Sequence, residues 1–229
     1  VVKVFQGSSS STNESNVIAG IVFCIANAAN LSISVITLSL GDGTVNSGFC
    51  DSSILAIAVN IAVDAGLLVD VASGNSGNAN GISSPACASK AVAVGATTKS
   101  NSIPSYSNSA PILDVLAPGS LITSTTLGNG FVSRSGTSMS APHVAGAAVL
   151  IKQYFKTVYN YTLTPSEVEL KLKKGVQIFD ARTNLSFPRI DLLSAVQPEI
   201  TVRFPLNASL FSQDSILITA QSAWPAAQA

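Results

Sequence analysis

A chain of 229 residues has room for one large α/β domain or two small ones, and 47% hydrophobic with 10% charged residues builds a packed core and argues against disorder. Twelve basic and twelve acidic residues cancel, which leaves no basic patch for nucleic acid and no acidic tail. Three cysteines are too few to define a disulfide framework.

In chain order, VVKVF (1–5) reads as a short strand, with neither Met nor a basic leader region before it. SSSSTNES is a polar loop in which Ser15 is the expected N-cap of an apolar helix running to about Ala29. Cys24 lies in that helix as a small buried hydrophobe. SVITLSLG is a buried strand, and Asp51 or Ser52 caps a second helix that stops at Gly66. Residues 54–72 are apolar enough to raise a membrane span. Asn60, Asp64, Gly66 and Asp70 interrupt the run, and its period changes at Gly66, so the reading is a buried helix followed by the buried strand LLVDVAS, with no membrane span.

SGNSGNANG is a glycine-rich loop, and AVAVGAT is the next strand. Near-continuous apolar strands alternating with helices predict a parallel sheet covered on both faces. DVLAP, LITST and FVSRSG read as shorter strands and hairpin pieces. SMSAPHVAGAAVLIKQYF is the longest helical stretch, and its apolar AAVLI predicts a central helix buried all round. Thr164, Pro165 and Glu167 form a capping box with proline at the first helical position. FPRIDLLSAVQ closes the α/β part. The expected division is residues 1–200 as one α/β domain, with 201–229 a β-rich tail or the start of a following domain. Cys50 and Cys87 both fall in loops, where a bridge and two free thiols fit equally well. Asn13, Asn30, Asn160, Asn184 and Asn207 head Asn-x-Ser/Thr sequons, which glycosylation uses only in a suitable secretory host. A neutral surface rich in Ser, Asn and Thr suits an extracellular protein.

The chemistry concentrates at 136–146, GTSMSAPHVAG. It is not the Gly-x-Ser-x-Gly elbow, because position 140 is serine. A serine at the N-terminus of a buried helix has free backbone N–H groups and the positive end of the helix dipole beside it, and both stabilise an oxyanion. Gly136 and Ala141 let a substrate backbone approach, and Pro142 is read as falling in the first helical turn.

This eleven-residue stretch resembles the nucleophile signature of the subtilisin-like serine proteases, and the similarity extends over about residues 1–197. The resemblance implies a three-layer α/β fold with a mostly parallel sheet, a secreted endopeptidase and polypeptide substrates. Ser138 would be the nucleophile. LLVDVASGNSG looks like the family segment that delivers the oxyanion-hole asparagine, here Asn75. TLSLGDG would place Ser39, Leu40 and Gly41 along the substrate backbone, with Ala72, Ser73 and Gly74 on the opposite wall of the specificity pocket. Pro85 sits where the family has a proline with a cis bond. Family members often bind calcium near the loop at 84–90. No cluster of Asp with oxygen-ligand spacing is visible, so no metal site and no other cofactor are expected.

Two members of the family's triad are not found. A serine needs a base, and the base an orienting group. The family supplies them in an Asp-Ser/Thr-Gly segment followed by a His-Gly-Thr segment, and neither is present. Asp42, in GDG, has the wrong context. His143 is the only histidine. Five positions after Ser138, it lies about 140° around a helix and roughly 7.5 Å along it, so it is read as a satisfied core histidine. VVKVF looks like the family strand that follows the histidine segment. The expectation is a domain whose N-terminal strands and catalytic Asp and His lie before Val1, and a chain inactive alone, with that missing N-terminal part as its partner. An exposed sheet edge and poor solubility alone follow. The other class is a pseudoprotease or peptide-binding scaffold that uses the same groove. A phosphate-binding reading of SGNSGNANG lacks the Gly-Lys-Ser/Thr ending.

Overall fold

The computed structural model describes residues 1–7, 9, 11–197, 200–202 and 220–222. Four strands form a parallel sheet in the order β1 (Val35–Leu38), β2 (Leu68–Ala72), β3 (Val92–Thr97), β4 (Val115–Pro118). Helices α1 (Glu14–Ala26) and α2 (Ile54–Asp64) pack on one face, where Val17, Ile21, Leu55, Val59, Val69 and Val71 share a core. On the other face α3 (Thr137–Tyr159) lies against Leu68, Val94 and Val115, joined by α4 (Pro165–Leu172) and α5 (Leu192–Val196). This is the expected three-layer α/β arrangement. β2 and β3 are buried at every position, which is why their sequences read as unbroken apolar runs.

The remaining pieces are antiparallel hairpins. β5 (Ile122–Thr126) pairs with β6 (Gly130–Arg134), and β7 (Gln177–Asp180) with β8 (Leu185–Pro188). Of the expected β-rich tail, β9 (Ile200–Val202) pairs antiparallel with β10 (Ala220–Ser222). The rest of 201–229 lies outside the described residues.

Local signals held where a cap or a run of side chains decides the structure. The α4 capping box forms as read: Thr164 Oγ1 accepts from the Glu167 N–H, and Glu167 Oε2 accepts from the Thr164 N–H at 2.8 Å. Asn13, rather than Ser15, caps α1, and the helix stops at Ala26. Ser53, rather than Asp51 or Ser52, precedes α2. Asp51 instead accepts from the Ser89 N–H and from the Asn60 amide, tying its loop to the stretch after Cys87. Cys50 and Cys87 are bridged, with Cα atoms 5.3 Å apart. Cys24 is free and half-buried, less buried than expected.

Three expectations fail for one reason, the absence of a neighbour. VVKVF is not a strand. Val1, Val2, Val4 and Phe5 face β1 across a cavity of about 430 Å³, too far for a ladder. α3 is not buried all round. Its buried residues recur at Val144, Ala147, Ala148, Ile151 and Phe155, whereas Val149 and Leu150 are about half exposed. His143 is exposed on that same open side rather than in the core. The free edge of β1 borders this region. The opposite edge, β4, is partly covered by Arg189 and Ile190.

Asp70 in β2 is fully buried and faces the α3 layer beside Thr37 of β1. Thr37 Oγ1 donates to Asp70 Oδ1 at 2.7 Å, and Oδ2 has no hydrogen-bond partner among the described residues. Burial pushes the carboxyl up to about 8, only partly opposed by Thr37. The folded protein therefore keeps this proton through a range in which the unfolded chain has lost it. Stability falls as pH rises from the ordinary carboxylate range to about 8, and the full penalty is present above that.

Two outcomes follow. Asp70→Asn removes that slope, so in urea unfolding its advantage over wild type grows between pH 5 and pH 8.5 by on the order of a few kcal/mol; parallel pH profiles would contradict it. The bridge closes a 37-residue separation. Cys50→Ala with Cys87→Ala therefore lowers unfolding free energy by about 4 kcal/mol; unchanged stability would mean the bridge does not constrain the unfolded chain.

Candidate active site

In an open parallel sheet, ligands bind beyond the carboxyl ends of the strands. Here the ends of β1 and β2, Gly119 after β4 and the start of α3 converge there. Ser138 is the second residue of α3 and is half-buried. Its neighbour Thr137 is fully buried, and its side chain is the junction of the site. The Thr137 N–H donates to Asn75 Oδ1 at 2.8 Å, and Thr137 Oγ1 donates to the same oxygen at 3.0 Å. Thr137 Oγ1 also accepts from the Gly74 N–H at 3.2 Å.

A backbone N–H can only donate, so Asn75 must present its oxygen to Thr137. Its NH₂ is thereby turned away from Thr137, on an exposed residue. The first turn of a helix leaves N–H groups without intrahelical acceptors. Thr137 N–H is taken by Asn75 and Met139 N–H by Gly136 O at 3.0 Å, and among the described residues Ser138 N–H has no acceptor. Two donors next to a serine hydroxyl can hold a developing oxyanion.

Pro142 is the sixth residue of α3, not part of its first turn. Its missing N–H removes the bond that would reach Ser138 O, four residues back. Ser39 Oγ fills that position, donating to Ser138 O at 2.9 Å, while Ser138 Oγ donates to Ser39 O at 3.3 Å. A proline inside the helix thus frees the Ser138 carbonyl for a contact with the segment after β1.

The other sequence-expected residues fall as follows. Ser39 and Gly41 are exposed and Leu40 half-buried, just past the end of β1. Ala72 and Ser73 are buried, with Ser73 Oγ turned inward to donate to Asn108 O, and Gly74 is half-buried. The Ser84–Pro85 bond is cis. His143 does not join Ser138. Its Nδ1 donates to Met139 O at 2.8 Å, one turn back along α3. Asp42 closes a local turn with Thr44 N–H and Oγ1. Among the described residues no titratable side chain is hydrogen-bonded to Ser138 Oγ.

The glycine-rich loop is no phosphate cradle. Its N–H groups are spent inside the protein: Ser76 and Asn78 on Asn108 Oδ1, Gly77 on Tyr106 O, Asn80 on Asn78 Oδ1. The stretch 84–90 does not fit a calcium ion. The carbonyls of Ser84, Pro85, Cys87 and Ala88 already accept backbone N–H groups, and the stretch carries no Asp or Glu. Among the described residues no three His, Cys, Asp or Glu side chains gather, and no helix is long and apolar enough to cross a membrane. Thr137 and Asn108 escaped the sequence reading. Thr137 lies inside the quoted motif, while nothing local links Asn108 to a loop some thirty residues earlier.

The layers, the parallel sheet and the site at its carboxyl end define a subtilisin-like fold. The family model described as the subtilase family matches residues 1–186, and the chain belongs to that family. Subtilisin Savinase of Lederbergia lenta is 44% identical over 152 residues, 66% of this chain and 52% of that protein. Subtilisin-like protease 1 of Arthroderma gypseum is 40% identical over 153 residues, 66% of this chain and 30% of that protein. A solved cold adapted subtilisin-like serine proteinase matches with a TM-score of 0.66 and 35% identity, covering 80% of this chain and 63% of that one. The prenylagaramide maturation protease PagA matches in fold, with a TM-score of 0.73 at 24% identity over 84% of this chain and 70% of that one. The chain spans between about a third and a half of the length of the curated relatives it matches.

Thr137→Val keeps the shape of the side chain but strips Asn75 Oδ1 of one donor and Gly74 N–H of its acceptor. Unfolding free energy should fall by about 1–3 kcal/mol in urea titration; a variant as stable as wild type would show that water replaces both bonds.

Proposed function

We propose that this chain is the nucleophile-bearing part of a serine endopeptidase. Ser138 attacks the peptide carbonyl and carries the acyl group. Asn75 Nδ2 and the Ser138 N–H receive the oxyanion. A histidine base and an orienting aspartate come from polypeptide outside the chain, upstream of Val1. The observation that carries the reading is the pair of hydrogen bonds from Thr137 to Asn75 Oδ1, which orients the asparagine amide. Family membership supports a peptidase acting on polypeptides.

The substrate backbone runs between Ser39–Gly41 and Ala72–Gly74, and the latter are small enough to admit a large side chain. The open edge of β1, the cavity beside it and the bare flank of α3 are where the N-terminal part of the domain packs. Residues 1–200 belong to that catalytic domain, with 201–229 as an appended piece. The protein acts outside the cell, a reading that the Cys50–Cys87 bridge supports because such bridges persist in oxidising compartments. The pseudoprotease alternative rests on the lack of a base bonded to Ser138 Oγ among the described residues.

A fluorophosphonate probe separates the two. A polypeptide that carries the upstream segment labels at Ser138, Ser138→Ala abolishes labelling, and the chain alone labels negligibly. Asn75→Ala in the active form lowers kcat by about 10²–10³ with KM little changed. Labelling that survives Ser138→Ala would reject the nucleophile, and no labelling of the longer polypeptide would favour the scaffold.

A further inference from the structure

We infer that Asn108 is a positioning residue for the oxyanion donor, acting on Asn75 through the backbone on both sides of it; this rests on the role proposed for Asn75. Asn108 is 1% exposed and uses every polar atom it has on the loop after β2. Its Oδ1 accepts from the N–H groups of Ser76 and Asn78, each at 3.0 Å. Its Nδ2 donates to Ser73 O at 3.2 Å, and its own N–H donates to Gly74 O at 3.0 Å. Its carbonyl accepts from Ser73 Oγ at 3.1 Å.

Residues 73, 74, 76 and 78 are therefore all tied to one side chain and its backbone, and Asn75, whose own side chain is held by Thr137, lies between them. The packing is close. Gly74 has φ +108, and a Cβ there would press on Asn108 Nδ2 and Ser83 Oγ, so no other residue lets the loop approach. Asn108 is itself held. Arg182 donates to Ser105 O and Ser107 O, and its guanidinium is paired two-pronged with Asp180, which is 3% exposed. One position before Ser107, Tyr106 O accepts the Gly77 N–H, and the Tyr106 hydroxyl donates to Gly119 O, which also receives the Gly136 N–H at the entrance to α3. The segment 105–108 thus grips both the loop that offers the asparagine amide and the turn that launches the nucleophile.

Side-chain truncation at 108 frees two loop N–H groups and one carbonyl, and an asparagine that must point at an oxyanion loses its fixed base. The donor is needed only in the transition state, so the loss should appear in kcat and not in KM. The test is a double-mutant cycle in the active polypeptide that carries the upstream segment, with a chromogenic peptide anilide and active-site titration to count folded enzyme. Asn108→Ala should lower kcat by about 30–100-fold with KM within about twofold, and should add less than about threefold on an Asn75→Ala background. Asn108→Asp, which keeps Oδ1 as acceptor for both loop N–H groups and loses only the donor to Ser73 O, serves if the alanine variant does not fold, and should show a smaller kcat loss that also vanishes on the Asn75→Ala background. A residue that only supports the fold would lower the melting temperature yet leave kcat per titrated site unchanged, or its kcat effect would multiply with that of Asn75→Ala; either result overturns the inference while the role of Asn75 stands. If Asn75→Ala itself leaves kcat unchanged, the oxyanion reading fails and takes the positioning role with it.

Discussion

Asn75 Oδ1 accepts twice from Thr137, and the site depends on that pair of bonds. An asparagine amide at the tip of a polar loop has no preferred orientation of its own. Thr137 supplies a donor that cannot be reversed, its backbone N–H, and a hydroxyl that simultaneously ties down Gly74. The residue that orients the amide is covalently next to Ser138. Any motion that carries Ser138 along the helix therefore carries the asparagine's anchor with it. Thr137 ties the Asn75 side chain to the start of α3, while Asn108 holds the loop on both sides of it.

The fold exists to bring three strand ends and one helix start to that point. Fully buried β2 and β3 hold the sheet rigid, and α3 lies across all four strands with its first turn at the site. Pro142 is costly to a helix, yet here the lost bond lets Ser39 reach the carbonyl of Ser138 and links the segment after β1 to the start of α3. Behind the loop, the exposed Arg182, paired with buried Asp180, ties down 105–108, which in turn holds the turn on each side of the site. Order passes from an ion pair to a loop to a side-chain amide through hydrogen bonds alone.

What could be read from the sequence was whatever is local. The parallel strands announced themselves as apolar runs, α4 by its capping box, and Ser138 and Asn75 by their family motifs. The misreadings have a common cause. VVKVF has strand composition, but a strand is a pairing, and its nearest edge lies across a cavity. α3 has an apolar circumference, but only one side of it meets the sheet. Periodicity reports which residues can be buried, and a neighbour decides whether they are. Asn108 was invisible for a related reason: its partners lie some thirty residues away, and an asparagine in a Ser-rich stretch looks like any turn residue. Cys50 and Cys87 stayed open until their loops were seen side by side.

The central claim is that Asn75 and the backbone of Ser138 form one oxyanion pocket beside a reactive serine. A crystal structure of the polypeptide that carries the upstream segment, bound to a peptide boronate, tests it most directly. The account predicts a tetrahedral boron on Ser138 Oγ, with one boron oxygen about 3 Å from both Asn75 Nδ2 and Ser138 N. Boron bonded elsewhere, or that oxygen in solvent with the Asn75 amide reversed, would contradict it.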